Sequence, residues 1–164
     1  MSRRPLVPAH QIIRPSGPEL AVDACCDPLQ KESWLMGSFC SGQPAFLYGP
    51  IPGMNVMAVE YVALVTGLGW LWDRKLLNPI YTDQETVWER ARSFREPMSR
   101  GSFRRLGPEL QEEVSHAFHW LQRVKPTNEI RFWARRQWKW QNPAHIGLAK
   151  LRKLKIASSY EAVG

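Results

Sequence analysis

The chain has 164 residues, 44% of them hydrophobic, which suits a single domain with its own core. Its net charge of +7 favours a polyanionic partner such as nucleic acid, and the sequence shows no apolar run near the ~18 residues that a membrane span needs. Three cysteines match neither a paired disulfide framework nor a zinc spacing, so we expect a reduced, cytoplasmic protein, which we also expect to be a monomer.

The first eighteen residues contain four prolines and lack the apolar segment of a secretory signal. We therefore expect an extended arm over residues 1–18. A single domain is expected over residues 19–156, followed by a short tail over residues 157–164.

Three short apolar runs separated by turn residues follow the arm, and they predict an antiparallel meander. The strands are expected over residues 19–26, 33–40 and 45–48, with a closing turn over residues 49–53. In the first strand Asp23 follows Leu20-Ala21-Val22, and the alternation of a strand points its side chain to the face opposite Val22.

Apolar residues at a spacing of 3.6 predict a helix over residues 55–72. Glu60 lies at the edge of this apolar stripe, near the start of the helix. It has two interpretations: a side chain that extends to solvent, or a buried carboxylate that is paired or bound to a cation.

The segment over residues 78–83 predicts a fourth strand, because Ile80, Tyr81 and Thr82 are strand formers. The preceding helix then becomes a crossover between parallel strands. Asp83 ends the strand just before a helix expected over residues 86–94. Such a carboxylate is either an N-cap or a functional group at the edge where α/β sheets place their chemistry.

The second half of the chain predicts two further helices and a fifth strand. We expect an exposed basic loop over residues 95–107, a helix over 108–124, a strand over 129–134 and a helix over 143–154 that begins after Asn142 as N-cap. Between the last two elements, residues 135–140 alternate cations with aromatic rings. This pattern suits packing on bases or phosphates, or packing of the two tryptophans at the rim of the core.

The order of these elements and acids resembles the type 1 ribonuclease H family over roughly Leu20 to Leu154. Three segments carry the resemblance: Ala21-Val22-Asp23, Ala58-Val59-Glu60-Tyr61-Val62-Ala63-Leu64 and Ile80-Tyr81-Thr82-Asp83. It implies an α/β fold of the RNase H-like type, a five-stranded mixed sheet in the order 3-2-1-4-5 with helices on both faces.

The resemblance also implies an activity, cleavage of the RNA strand of RNA–DNA hybrids by an endonuclease that leaves 5′-phosphate ends. Asp23, Glu60 and Asp83 would converge to bind two Mg²⁺ or Mn²⁺ ions, with Asp23 bridging them. Carboxylate oxygens suit such ions, and paired ions can activate a water and stabilise the leaving oxygen.

One departure concerns the fourth carboxylate that the family usually has at the start of the last helix. Here the matching run is Asn142-Pro143-Ala144-His145, so His145 takes that place. An imidazole removes one negative charge and favours Mn²⁺ relative to Mg²⁺. The alternative is that His145 points to solvent.

The resemblance implies that further residues contact the nucleic acid. Asn55 and Gln84 would approach the 2′-hydroxyl that distinguishes RNA from DNA. The cations expected to contact nucleic acid are Arg104, Arg105, Arg135, Lys139 and Arg152. Two other functions stay open: an RNase H-like nucleic-acid-binding module with weakened catalysis, which the altered fourth position favours, and a nuclease of the same superfold that acts on DNA.

Overall fold

The computed structural model describes residues 17–134 and 142–152. Nearly all of the predicted arm, the whole of the tail, and the cation-aromatic segment over residues 135–140 lie outside this part. The elements are β1 (Leu20–Asp27), β2 (Glu32–Phe39), β3 (Pro44–Pro52), α1 (Val56–Asp73), β4 (Ile80–Thr82), α2 (Glu85–Arg92), α3 (Arg100–Arg104), α4 (Pro108–Val124), β5 (Ile130–Phe132) and α5 (residues 143–152).

The five strands form one mixed sheet in the order β3-β2-β1-β4-β5. The first three strands pair antiparallel, whereas β4 pairs parallel with both β1 and β5. The crossover from the antiparallel meander to β4 runs through α1, as a parallel connection requires. The predicted fold class is therefore confirmed: the chain has the RNase H-like fold.

Helix α1 packs across one face of the sheet at close range. A Cβ atom at Gly67 would lie 2.6 Å from Ile80 Cδ1 and 2.8 Å from Val22 Cγ1, so the helix approaches β1 and β4 without a side chain between them. With 18 residues of apolar character, α1 has the length and composition of a membrane span, so the expectation that no such run exists was wrong. Of this segment, 61% is buried inside the fold, as in the core helix of a globular domain.

Helix α5 lies on the other face of the sheet. Met36 is the partner of Asp23 in the pairing of β1 with β2, and both side chains point away from the face that Val22 shares with α1. A Cβ atom at Gly147 would clash with the sulfur of Met36, which places α5 directly on that side chain. Ala144 and Leu148 of α5 are buried there.

Strand β3 is longer than the sequence predicts. The expected turn over residues 49–53 is instead mostly strand, since β3 continues to Pro52 and Ile51 pairs with Ser33. Prolines are tolerated here because β3 is an edge strand, where an amide facing away from the sheet needs no partner. The turn prediction was wrong because proline and glycine, which usually mark turns, also occur within edge strands.

The expected basic loop over residues 95–107 contains the short helix α3. Ser99 caps it, with the Oγ atom accepting a hydrogen bond from the Ser102 backbone N–H at 3.2 Å. This N-cap is a sequence signal that the composition of the segment, rich in arginine and glycine, concealed. The helix predicted over residues 108–124 is confirmed with the same limits.

We predict opposite effects from two alanine substitutions in α1. Gly67→Ala should destabilise the protein by about 1–3 kcal/mol, because the new methyl group has no room beside Val22 and Ile80. Gly69→Ala should stabilise it by about 0.5–1 kcal/mol, since its Cβ would meet nothing closer than Trp120 at 3.9 Å and alanine favours the helix. Urea unfolding of both variants tests this, and equal shifts would contradict the close packing of α1 on the sheet.

Candidate metal centre

Three carboxylates from three separate elements meet where β4 ends, beside the central strand β1. Asp23 lies within β1, Glu60 in the second turn of α1, and Asp83 directly after β4. All three are buried, and one oxygen of each lies within 4.8 Å of the others. No other group of three potential ligands comes this close among residues 17–134 and 142–152.

The strand register explains why two of the acids meet. Leu20 of β1 is opposite Ile80 of β4, and Ala21 is opposite Tyr81. Extending this parallel register by two residues brings Asp23 beside Asp83. The third acid comes from α1, which begins after Asn55, whose Oδ1 atom accepts the Ala58 backbone N–H at 3.0 Å.

The local electrostatics of the cluster are unfavourable without a positive charge. Burial raises the pKa of Glu60 well above its usual range, and the negative charges of Asp23 and Asp83 raise it further. A hydrogen bond with Asp23 also raises this pKa, whereas one with the backbone of Ala24 lowers it. The Oε2 atom of Glu60 is buried and has no hydrogen-bond partner in the described part of the chain.

These features fit a divalent cation. An all-oxygen donor set is the one that Mg²⁺, Ca²⁺ and Mn²⁺ prefer. The unpartnered oxygen of Glu60 is available as a ligand, and a cation would offset the repulsion that the three carboxylates experience. The side chain of Glu60 therefore does not extend to solvent, which was the alternative that the sequence left open.

His145 lies beside the cluster in the first turn of α5. Its Nδ1 atom is 3.0 Å from Asp23 Oδ2, with 45% of the His145 side chain exposed but only 5% of that of Asp23. An ionised carboxylate only accepts hydrogen bonds, so beside an ionised Asp23 the Nδ1 atom is the donor and Nε2 is the ring atom left for a cation.

Asn142 holds α5 in this position, a role that the sequence did not reveal. Its Oδ1 atom accepts the Ala144 backbone N–H at 2.9 Å, which confirms the predicted N-cap. Its Nδ2 atom donates to the Val22 carbonyl at 3.1 Å, one residue before Asp23. An N-cap is visible in sequence, but a hydrogen bond across 120 residues is not.

The other expected site residues lie on several elements. Asn55 uses its side-chain oxygen to cap α1, and Gln84 occupies the N-cap position of α2 without a capping bond. Arg104 and Arg105 are exposed at the end of α3. Arg152 is exposed on α5; burial raises the pKa of the thiol of Cys25, two residues from Asp23, and the charge of Arg152 offsets part of that rise. Arg135 and Lys139 lie outside the described residues.

We predict that Glu60→Gln stabilises the metal-free protein at neutral pH. A raised pKa means that the stability linked to this group is fully present below its unfolded pKa and is lost as the pH rises through the higher folded value. Removing the charge should gain about 1–3 kcal/mol at pH 7.5, the usual cost of an uncompensated buried polar group. At pH 4.5 the gain should be much smaller.

Thermal unfolding in a chelator at both pH values measures this difference. Glu112→Gln on the exposed face of α4 is the matched control and should change stability little at either pH. A Glu60→Gln variant that is less stable than the wild type at pH 7.5 would contradict the proposed electrostatic cost.

No protein-family model matches the sequence, and no curated protein matches it. Among solved structures, an RNase H1 isolated from compost by a metagenomic approach is similar, with 13% identity and a TM-score of 0.47, over 73% of this chain and 85% of that one. Prototype foamy virus protease-reverse transcriptase has 15% identity and a TM-score of 0.42, over 76% of this chain but only 18% of the viral chain. Likenesses this distant do not bear on activity.

Proposed function

We propose that this protein is a metal-dependent endoribonuclease that cleaves the RNA strand of RNA–DNA hybrids and leaves 5′-phosphate ends. The observation that carries the proposal is the convergence of Asp23, Glu60 and Asp83 within 4.8 Å in a buried position. Bound divalent cations supply an activated water and stabilise the leaving oxygen in such a site. The resemblance of the three acidic segments to ribonuclease H supports the hybrid as substrate.

Asp23 would be the ligand that two Mg²⁺ or Mn²⁺ ions share. It contributes to the acidic cluster and its Oδ2 atom also contacts the imidazole of His145, which supports this role. We therefore assign Glu60 and Asp83 to one side of Asp23 and His145 to the other. His145 replaces a negative ligand by a neutral one, which reduces the charge available to the second ion.

The residues around the cluster suit a nucleic-acid substrate. Arg152 is exposed on the same helix as His145 and provides a charge for a phosphate. Asn55 still has its amide N–H groups because only its oxygen is used in the cap, and these can donate to a 2′-hydroxyl. The side chain of Gln84 makes no capping bond and offers both an acceptor and donors.

A nucleic-acid-binding module without catalysis is the second candidate. The imidazole at the fourth position favours it, because a missing carboxylate weakens the affinity for a hard cation. The unpartnered oxygen of Glu60 opposes it. Without cation binding the chain would retain a buried acid that costs stability and has no compensating use.

We predict metal-dependent cleavage of an end-labelled RNA–DNA hybrid, restricted to the RNA strand. Asp83→Asn should lower the rate by at least about 100-fold, because a neutral amide binds a divalent cation poorly. Asp73→Asn, at the exposed end of α1, is the control and should leave the rate unchanged. Gel analysis of hybrid, DNA duplex and RNA duplex separates the alternatives.

Cleavage of the DNA duplex with equal efficiency would indicate the DNA-acting nuclease. A hybrid that is bound but never cut, with Mg²⁺ or Mn²⁺, would indicate the binding module.

We predict that His145→Asp raises activity with Mg²⁺ relative to Mn²⁺ by about tenfold, because the carboxylate restores an oxygen ligand and a negative charge. The ratio of initial rates with the two ions is the measurement. His116→Asp, on the exposed face of α4, controls for the added charge and should leave the ratio unchanged. An unchanged ratio in the His145 variant would place this residue outside the metal shell.

A further inference from the structure

A second concave site lies apart from the acidic cluster. A cavity of about 370 Å³ opens between α3, the loop before it, and the middle of α4. None of the three carboxylates or His145 lines it. Its volume is within the range of sites that hold a small molecule or one residue of a larger partner.

The wall of this cavity is mainly apolar and partly aromatic. Met98 and Val114 are buried at the hydrophobic core, and the rings of Phe103 and Phe118 are partly buried against it. Aromatic rings that line a cavity are the kind of side chain on which a base can stack.

The cavity also has two cations that are available for a ligand. Arg100 and Arg104 both line it, and they lie one turn apart on α3, on the same side of the helix. Both are exposed, and neither guanidinium forms a hydrogen bond or ion pair with any residue that the structure describes. An anion at this point would therefore not compete with an existing partner.

Among the described residues, Glu96 is the one acidic side chain that lines the cavity. Its carboxylate can accept a hydrogen bond from an amino group. Cytosine presents such an amino group, whereas thymine presents a carbonyl oxygen at the same position.

We infer that the cavity binds one unpaired nucleotide of single-stranded nucleic acid, with the base against Phe103 and Phe118 and its phosphate at Arg100 and Arg104. The carboxylate of Glu96 selects bases with an amino group. The inference rests on the proposed function only for the class of ligand, nucleic acid, and is independent of metal binding and cleavage.

Fluorescence anisotropy with labelled hexamers of deoxycytidine and deoxythymidine, in a chelator, tests the inference directly. The wild type should bind the cytidine hexamer about three- to tenfold more tightly. Phe103→Leu should weaken binding of both hexamers about five- to tenfold, because leucine keeps an apolar side chain at this position but removes the aromatic stacking surface. Its thermal unfolding midpoint verifies that it is folded.

Three exposed positions provide variants that leave the core intact, one of them a control. Arg104→Gln should weaken binding and lower the slope of log affinity against log salt by about 0.7, the value for one phosphate contact on a single strand. Arg123→Gln, exposed near the end of α4 and outside the cavity, should leave the slope unchanged. Glu96→Gln should remove most of the preference for cytidine, since an amide also donates to thymine O4.

The outcomes separate this inference from the proposed nuclease. If the protein cleaves the hybrid but the Phe103, Arg104 and Glu96 variants do not change hexamer binding, the inference is overturned and the proposed nuclease is not. Hexamer binding with the expected variant effects, but without hybrid cleavage, would support the inference and overturn the nuclease. Binding of an acidic peptide in place of both hexamers would make the cavity a protein-docking site and would also overturn the inference.

Discussion

The parallel pairing of β1 with β4 is the constraint on which the candidate site depends. It aligns Leu20 with Ile80, and the same register carried forward brings Asp23 beside Asp83. Side chains alternate along a strand, so a shift of one residue would move one of these acids to the opposite face. The register is held by the burial of Leu20, Val22 and Ile80 beneath α1, where apolar packing tolerates no slippage.

The stability of the core permits the unfavourable electrostatics at its edge. Helix α1 buries eleven residues, of which Glu60 is the only charged one, and Gly67 lets the helix approach the sheet closely. This packing keeps Glu60 near two other carboxylates although their charges raise its pKa. Functional sites commonly retain such strain because the surrounding structure holds the groups in place.

The two faces of the sheet contribute differently to the site. From one face, α1 supplies Glu60 through the capped turn that begins at Asn55. From the other face, α5 supplies His145, and Asn142 fixes this helix to the Val22 carbonyl of the central strand. Hydrogen bonds therefore hold the imidazole beside Asp23, while the hydrophobic packing of α1 on the sheet brings Glu60 within hydrogen-bond reach of Asp23.

The sequence by itself determined most of the elements, because apolar periodicity is a local signal. Three short acidic segments carried the family resemblance, which implied the mixed sheet and the convergence of the candidate acids. The sequence failed at β3, where prolines at an edge strand imitate a turn, and at α3, where the cap at Ser99 was concealed by arginines and glycines. Only the tertiary structure decided that Glu60 is buried and that His145 contacts Asp23. It alone also formed the cavity between α3 and α4. These features depend on contacts between residues far apart in the chain, and the geometry of such contacts is set by how the helices pack on the sheet rather than by any local pattern.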